Sequence, residues 1–180
     1  MLSEFFTVFA TQNPIEFEGT YPLPEAQLDR FLLKIKVDYP GADQEVTILE
    51  NHHRGFDPHK LDMANLDAVP TSWLAEARKD VRATRVEPAL FRYITEIVRR
   101  TRDWPALSVG ASPRAAISLL AVAKAMAALE ERNYLIPDDV KTAALPVLRH
   151  RVMMKPEAEL EGLSSDQVLK EIIGTVEVPK

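Results

Sequence analysis

Three polar side chains in this sequence stand where they could act on a phosphate group. Asn13 follows the apolar run FFTVFA (Phe5–Ala10), and an open parallel sheet presents ligands beyond the carboxyl ends of its buried strands. An amide there could polarise an attacking water or contact a phosphate oxygen. Arg30 ends a short predicted helix, from which its guanidinium could neutralise charge on the γ-phosphate of a neighbouring subunit. Arg114 lies in the first turn of a long predicted helix, where a cation opposes the helix dipole and therefore suggests an anionic partner.

Each of these residues also has a plainer interpretation. Asn13 precedes a proline and could belong to an ordinary turn. Arg30 could form a surface salt bridge with Asp29 or Glu25. Arg114 could simply be solvated. On spacing alone the plainer interpretation is favoured for Asn13 and Arg30, so further signals must decide.

A histidine-rich stretch, NHHRGFDPH, contains residue types that can bind a metal ion. Its members are His52, His53, His59 and Asp57. Adjacent histidines on a helix point to different faces and cannot ligate one ion together. The sequence therefore predicts no metal site.

The phosphate-binding elements of a nucleotide hydrolase are absent from this sequence. A P-loop requires glycines that let backbone N–H groups close around phosphate, followed by Lys and then Ser or Thr. None of the 6 glycines is followed by Lys, and no apolar run ends in the Asp-Glu pair that would hold Mg²⁺. We therefore expect that this chain alone neither hydrolyses ATP nor binds a cofactor tightly.

The chain up to about residue 40 has the pattern of a strand, a helix and a strand. FFTVFA is continuously apolar, as in a strand covered on both faces. The stretch EAQLDRF is predicted to be a helix that begins after Pro24. Leu33–Tyr39 alternates apolar and polar residues, which indicates a half-exposed strand. Because two strands and one helix cannot form a parallel sheet alone, we expect the neighbours of the first strand to lie upstream.

Beyond that point the pattern is helical, and the predicted fold class is mainly α. The clearest amphipathic helix follows Pro88, with apolar residues at the spacing i, i+1, i+4, i+7 and i+8: Leu90, Phe91, Ile94, Ile97 and Val98. The stretch SPRAAISLLAVAKAMAALEER is apolar on most sides and is predicted to be a buried central helix with Ser112 as its N-cap. A last helix is predicted to begin at Ser165 as N-cap and to stop at Gly174.

Composition sets broader limits. With 180 residues, 46% of them hydrophobic, the chain can bury one ordinary core. Its net charge of -5 argues against a nucleic-acid surface. It has no cysteine, no apolar stretch long enough to span a bilayer and no visible signal peptide, so we expect a cytoplasmic protein without membrane insertion.

Several motifs together resemble MoxR-family AAA+ ATPases. ATQNP followed by EGTYPLPEAQLDRF resembles the family's segment between first sensor and arginine finger, with Phe17 as the unusual residue. GASPRA and its Ala-rich helix resemble the second sensor, and LPVLRHRV resembles the lid. The resemblance implies a helical-bundle lid at residues 40–180. Residues 1–39 would be the last strand-helix-strand remnant of an αβα P-loop core.

The resemblance also implies roles and partners. Asn13 would be the first sensor, Arg30 an arginine finger acting in trans, and Arg114 the nucleotide-binding arginine of the second sensor. The parent would bind ATP and Mg²⁺, assemble with itself into a ring expected to be hexameric, and remodel protein clients like a chaperone. Its partner would be such a client or a von Willebrand factor A-type domain. Two alternatives stay open: a non-enzymatic helical interaction domain, and the motor subunit of a related metal chelatase.

Overall fold

The computed structural model describes residue 3 and residues 5–12, 23–58, 60 and 68–179. Within these ranges the helices are α1 (Glu25–Leu28), α2 (Ala42–His53), α3 (Thr71–Ala83), α4 (Pro88–Arg100), α5 (Pro113–Leu129), α6 (Pro137–Leu148), α7 (Pro156–Leu160) and α8 (Ser165–Thr175). Two short strands, β1 (Leu107–Val109) and β2 (Met153–Met154), pair antiparallel with Leu107 opposite Met154. The mainly α class predicted from the sequence is confirmed.

The core lies around α5, which packs against α6, α4 and α3, while α8 closes over α6 and α4. Helices α5 and α6 pack against each other, and each contributes fully buried alanines, which suit close packing: Ala123 and Ala127 on α5, Ala143 and Ala144 on α6. The predicted role of α5 as the buried central helix is therefore confirmed.

Helix α4 follows its predicted periodicity with one exchange. Its buried residues are Leu90, Tyr93, Ile94, Ile97 and Val98. Phe91, which the spacing assigns to the apolar face, is 46% exposed, and Tyr93 takes its place in the core. A tyrosine can enter a core in this way because most of its side chain is an apolar ring.

The two strands predicted before residue 40 are not formed. Residues 5–10 and 33–39 carry no strand ladder in the described chain, and Phe9, Val37 and Tyr39 are more than four-fifths exposed. A strand is stable only when its N–H and C=O groups pair with a neighbouring strand, and neither segment pairs with another strand among the described residues. This corrects the strand-helix-strand prediction, of which only the helix α1 is present.

The last helix begins one residue earlier than predicted. Ser164 is its N-cap, accepting from the Gln167 backbone N–H at 3.3 Å, while Ser165 is the first helical residue. Gly174 does not stop the helix, which runs on to Thr175. Among the described residues, no helix is both long and apolar enough to cross a membrane.

Candidate functional site

The structure places two of the three predicted site residues. Asn13 lies outside the described residues. Arg30 follows α1 by two residues and is exposed, and none of the carboxylates described forms an ion pair with it. Arg114 is the second residue of α5 and is also exposed. Of the two salt bridges that the plainer interpretation offers Arg30, the one to Asp29 is not formed, because Asp29 pairs instead with Arg151; the side chain of Glu25 lies outside the described ones.

Arg151 is the central residue of this region, and its side chain is 1% exposed. Its Nε donates to Asp29 Oδ1 at 3.0 Å. Its Nη2 donates to the carbonyl oxygens of Asp29 at 3.2 Å and Phe31 at 2.6 Å, and its Nη1 donates to that of Leu32 at 3.2 Å. One guanidinium therefore holds the main chain on both sides of Arg30.

The same guanidinium is anchored on the opposite side by the helical bundle. Nη1 donates to the carbonyl oxygen of Val147 in the last turn of α6, and Nη2 lies 3.3 Å from Ser118 Oγ of α5. Burial lowers the pKa of Arg151, whereas the Asp29 carboxylate raises it and the charge of Arg114 lowers it further. The buried charge is tolerated because an acceptor faces each of the five N–H donors.

His150 adds a second contact to the same stretch. Its Nε2 lies 3.0 Å from the carbonyl oxygen of Phe31, and because a carbonyl only accepts, Nε2 carries the proton. Burial lowers the pKa of His150, and the charges of Arg151 and Lys34 lower it too, against the hydrogen bond to Phe31 and the charge of Asp29, which raise it. His150 is therefore neutral near pH 7, with a buried Nδ1 that has no hydrogen-bond partner in the described chain.

The carboxyl end of α6 holds the next residues of the chain. The Lys34 N–H donates to the carbonyl oxygen of Pro146 at 2.8 Å, and Arg149 Nη1 donates to that of Lys34 at 3.3 Å. Asp166 of α8 accepts a hydrogen bond from Lys36 Nζ at 2.8 Å. It also forms an ion pair with Arg149 Nε at 3.1 Å, whose geometry is not that of a hydrogen bond. We call residues 29–36 the docked segment. Through Lys34 it occupies one of the carbonyls, that of Pro146, that a helix end otherwise leaves to water.

The loop that leads to Arg114 is fixed by a close backbone approach. A Cβ added at Gly110 would lie 2.5 Å from Arg102 Cα and 2.7 Å from the Thr101 carbonyl carbon, so only glycine fits. The buried Thr101 hydroxyl accepts from the Ala111 N–H at 2.8 Å and donates to the Val98 carbonyl at 2.6 Å. These contacts set the position at which α5 begins.

Ser112 connects this loop to the docked segment. It occupies the predicted N-cap position of α5, with φ -76° and ψ 164°, but its side chain does not cap the helix. Its hydroxyl instead lies 3.4 Å from both carboxylate oxygens of Asp29. The start of the helix that carries Arg114 is therefore joined through Asp29 to the stretch that carries Arg30.

A cleft of about 210 Å³ lies where these parts meet, and its polar lining is Asp29, Ser112, His150 and Arg151. The Asp29 carboxylate is bound by Arg151 and by the Ser112 hydroxyl. The hydroxyl of Ser118 is likewise bound by Arg151. The arrangement can thus hold a backbone in place, whereas Arg30 and Arg114 present cations to solvent. Sequence reasoning missed Arg151 and His150: LPVLRHRV was noticed, but only as a likeness to a lid.

Comparisons with known proteins agree on one family. A family model of the AAA lid domain matches residues 99–172, and one of ATPases associated with various cellular activities (AAA) matches residues 1–33. The uncharacterized protein YeaC of Bacillus subtilis is 40% identical over 178 residues, which cover 99% of this chain and 54% of YeaC. Chaperone MoxR1 of Mycobacterium tuberculosis is 37% identical over 186 residues, which cover 97% of this chain and 47% of MoxR1.

A solved structure gives the same answer. The crystal structure of a candidate ATPase from Cytophaga hutchinsonii superposes with a TM-score of 0.86 at 36% identity, covering 99% of this chain and 56% of that one. The chain spans about half the length of the curated relatives it matches. The two family models, the MoxR-named relatives and this structure identify the chain as the C-terminal portion of a MoxR-type AAA+ ATPase.

Proposed function

We propose that this chain is the nucleotide-sensing half of a ring-forming ATPase that couples ATP binding and hydrolysis to remodelling of protein clients. Family membership supports this, as does the chaperone named among its relatives. Residues 1–39 would complete the nucleotide-binding core and residues 40–180 would form the lid. The remainder of the ATPase would supply the P-loop and the carboxylates that hold Mg²⁺.

The state of Arg30 is the observation that carries this proposal. Asp29, the acidic residue next to Arg30 in the sequence, pairs with Arg151, and Arg30 stays exposed. Its main chain is nevertheless held on both sides. A cation free to reach outward on a fixed backbone suits an arginine finger, which must enter the neighbouring subunit's site with little loss of entropy.

The other two residues would serve the subunit's own nucleotide. Arg114 would contact phosphate from the start of α5, where the helix dipole also favours an anion. Asn13 would orient the attacking water as the first sensor. A ring, which we propose to be hexameric, would bring each Arg30 to the next subunit, and the client or a von Willebrand factor A-type partner would bind the assembled ring.

The test is Arg30→Ala in the intact ATPase. Removing an arginine finger should lower kcat by roughly 10³-fold or more and leave nucleotide affinity nearly unchanged, because the finger acts on the transition state. Lys should rescue poorly, since a point charge cannot reproduce the planar fork of a guanidinium. The matched control is Arg92→Ala, an exposed arginine on α4 that forms no hydrogen bond or ion pair among the described residues, which should change neither quantity.

Mixed rings distinguish action in trans from action within a subunit. Subunits with Arg30→Ala are mixed with subunits that lack the P-loop lysine. If Arg30 acts across the boundary, each mutant supplies what the other lacks and activity returns. Normal hydrolysis by Arg30→Ala alone, or no recovery in rings shown to contain both mutants, would overturn the proposal. Failure of the intact protein to bind ATP at all would favour the non-enzymatic interaction domain.

A further inference from the structure

We propose that Arg151 is a positioning residue for Arg30: buried in the lid, it fixes the backbone from which the finger reaches its neighbour. The inference rests on the proposed role of Arg30 and adds a residue that acts through it. Arg151 does not reach the phosphate itself. Its contribution is to keep the main chain at Arg30 in one position.

The first argument is the pattern of contacts. Arg151 donates hydrogen bonds to the carbonyl oxygens of Asp29 and Phe31, the residues directly before and after Arg30, at 3.2 and 2.6 Å. It also donates to the Asp29 carboxylate at 3.0 Å and to the carbonyl oxygen of Leu32 at 3.2 Å. Contacts on both sides restrict the peptide planes that flank Arg30, while its own side chain stays exposed.

The second argument is the rigidity of the holder. The Arg151 side chain is 1% exposed, and it is bound to α6 through Val147 and to α5 through Ser118. A side chain on the surface would lose this geometry easily, whereas one enclosed by two core helices has a single orientation. The lid thus determines where the docked segment lies.

The third argument is the chemistry of the holder. Four acceptor groups on the docked segment and two on the lid lie within hydrogen-bonding reach of one forked cation. Lysine has three donors on one atom and cannot meet acceptors on opposite sides. Since a misplacement of about 1 Å at a reacting group costs on the order of 10²-fold in rate, loss of this clamp should be measurable.

The first experiment uses this chain and hydrogen exchange. Arg151→Gln should speed exchange at the Lys34 amide, which donates to Pro146, by at least roughly 10-fold, because the opening free energy of the docked segment falls. Arg92→Gln, at an exposed position of α4, should leave it unchanged. If Arg151→Gln does not fold, Asp29→Asn is used, which breaks the ion pair and leaves the buried guanidinium in place. Unchanged exchange in a folded variant would overturn the inference.

The second experiment measures kinetics in the intact ring. Arg151→Gln and Arg151→Lys should lower kcat by on the order of 10²-fold with KM for ATP unchanged. The double variant with Arg30→Ala should be no slower than Arg30→Ala alone, because the two residues act as one unit. Should Arg151→Gln fail to fold, Asp29→Asn is combined with Arg30→Ala in the same way.

The outcomes separate the two proposals. If Arg30→Ala is slow and the folded Arg151 or Asp29 variants hydrolyse ATP normally, the finger stands and the positioning role is wrong. If the defects of Arg30 and Arg151 multiply, Arg151 acts by another route and the inference is also wrong. If Arg30→Ala is itself fully active, the proposed function fails and the positioning role fails with it.

Discussion

Gly110→Ala tests the loop that places α5, and its cost can be worked out from the structure. The new Cβ would lie 2.5 Å from Arg102 Cα and 2.6 Å from Arg102 N, against an optimum of about 3.5 to 4.0 Å for carbon contacts. Both neighbours are backbone atoms inside a packed turn and cannot rotate away. The loop must therefore move by roughly 1 Å.

That movement has two costs. It stretches the bond from the Ala111 N–H to Thr101 Oγ1, now 2.8 Å, beyond hydrogen-bonding distance. Leaving these buried groups unpaired costs about 1 to 3 kcal/mol, and forcing the extra carbon into a packed site costs about 1 to 3 kcal/mol more. Alanine returns about 0.5 to 1 kcal/mol by restricting the unfolded chain. We expect a net loss of about 3 kcal/mol in the free energy of unfolding.

Urea unfolding followed by circular dichroism is the assay, with two other glycines as controls. With an m-value of about 1 to 3 kcal/mol/M, the midpoint of Gly110→Ala should fall by roughly 1 to 3 M. Gly174, inside α8, has nothing within 4 Å of an added Cβ, so Gly174→Ala should stabilise by up to about 1 kcal/mol. Gly162 is equally open but has φ +80°, so Gly162→Ala should cost about 1 to 2 kcal/mol from backbone strain alone. A Gly110→Ala midpoint at or above that of Gly162→Ala would refute the close approach.

Two further predictions concern single side chains. Because burial lowers the pKa of His150 from its ordinary 6.5, the unfolded chain binds more protons than the folded one just below pH 6.5, and stability should rise with pH through that window and fall on acidification. His150→Gln keeps an N–H donor but cannot titrate, so equilibrium unfolding at a series of pH values should show a flatter profile; an unchanged slope would contradict the assignment. Ser164→Ala should lower the free energy of unfolding by about 1 kcal/mol, measured by thermal or urea unfolding, whereas Ser165→Ala should change it little. A larger loss from Ser165→Ala than from Ser164→Ala would mean that Ser165 is the N-cap.

The main helices could be predicted because their signal is local. Apolar periodicity and an initial proline identify α4, α5 and α6 from neighbouring residues alone. The strands β1 and β2, of three and two residues, are too short to show a period. The two predicted strands before residue 40 carried a genuine strand pattern, but a pattern does not provide a pairing partner.

The candidate site divides in the same way. Arg30 and Arg114 could be selected from the sequence because each stands inside a short motif. Arg151 could not, since its partner Asp29 is 122 positions away and only the fold brings them together. Ser112 shows a milder case: its place before α5 was predicted, but its hydroxyl does not accept from the helix N–H groups as a cap would and instead donates to the Asp29 carboxylate, a charged acceptor.

The contacts of Arg151 with the docked segment have a consequence for how such chains diverge. Apart from the Asp29 carboxylate, Arg151 binds carbonyl oxygens, and every amino acid provides one. Substitutions at Phe31 or Leu32 therefore leave these acceptors intact and should have little effect on the contacts with Arg151. No other side chain offers five donors in a planar fork, so position 151 has no equivalent replacement. Related chains should therefore vary more at positions 31 and 32 than at position 151.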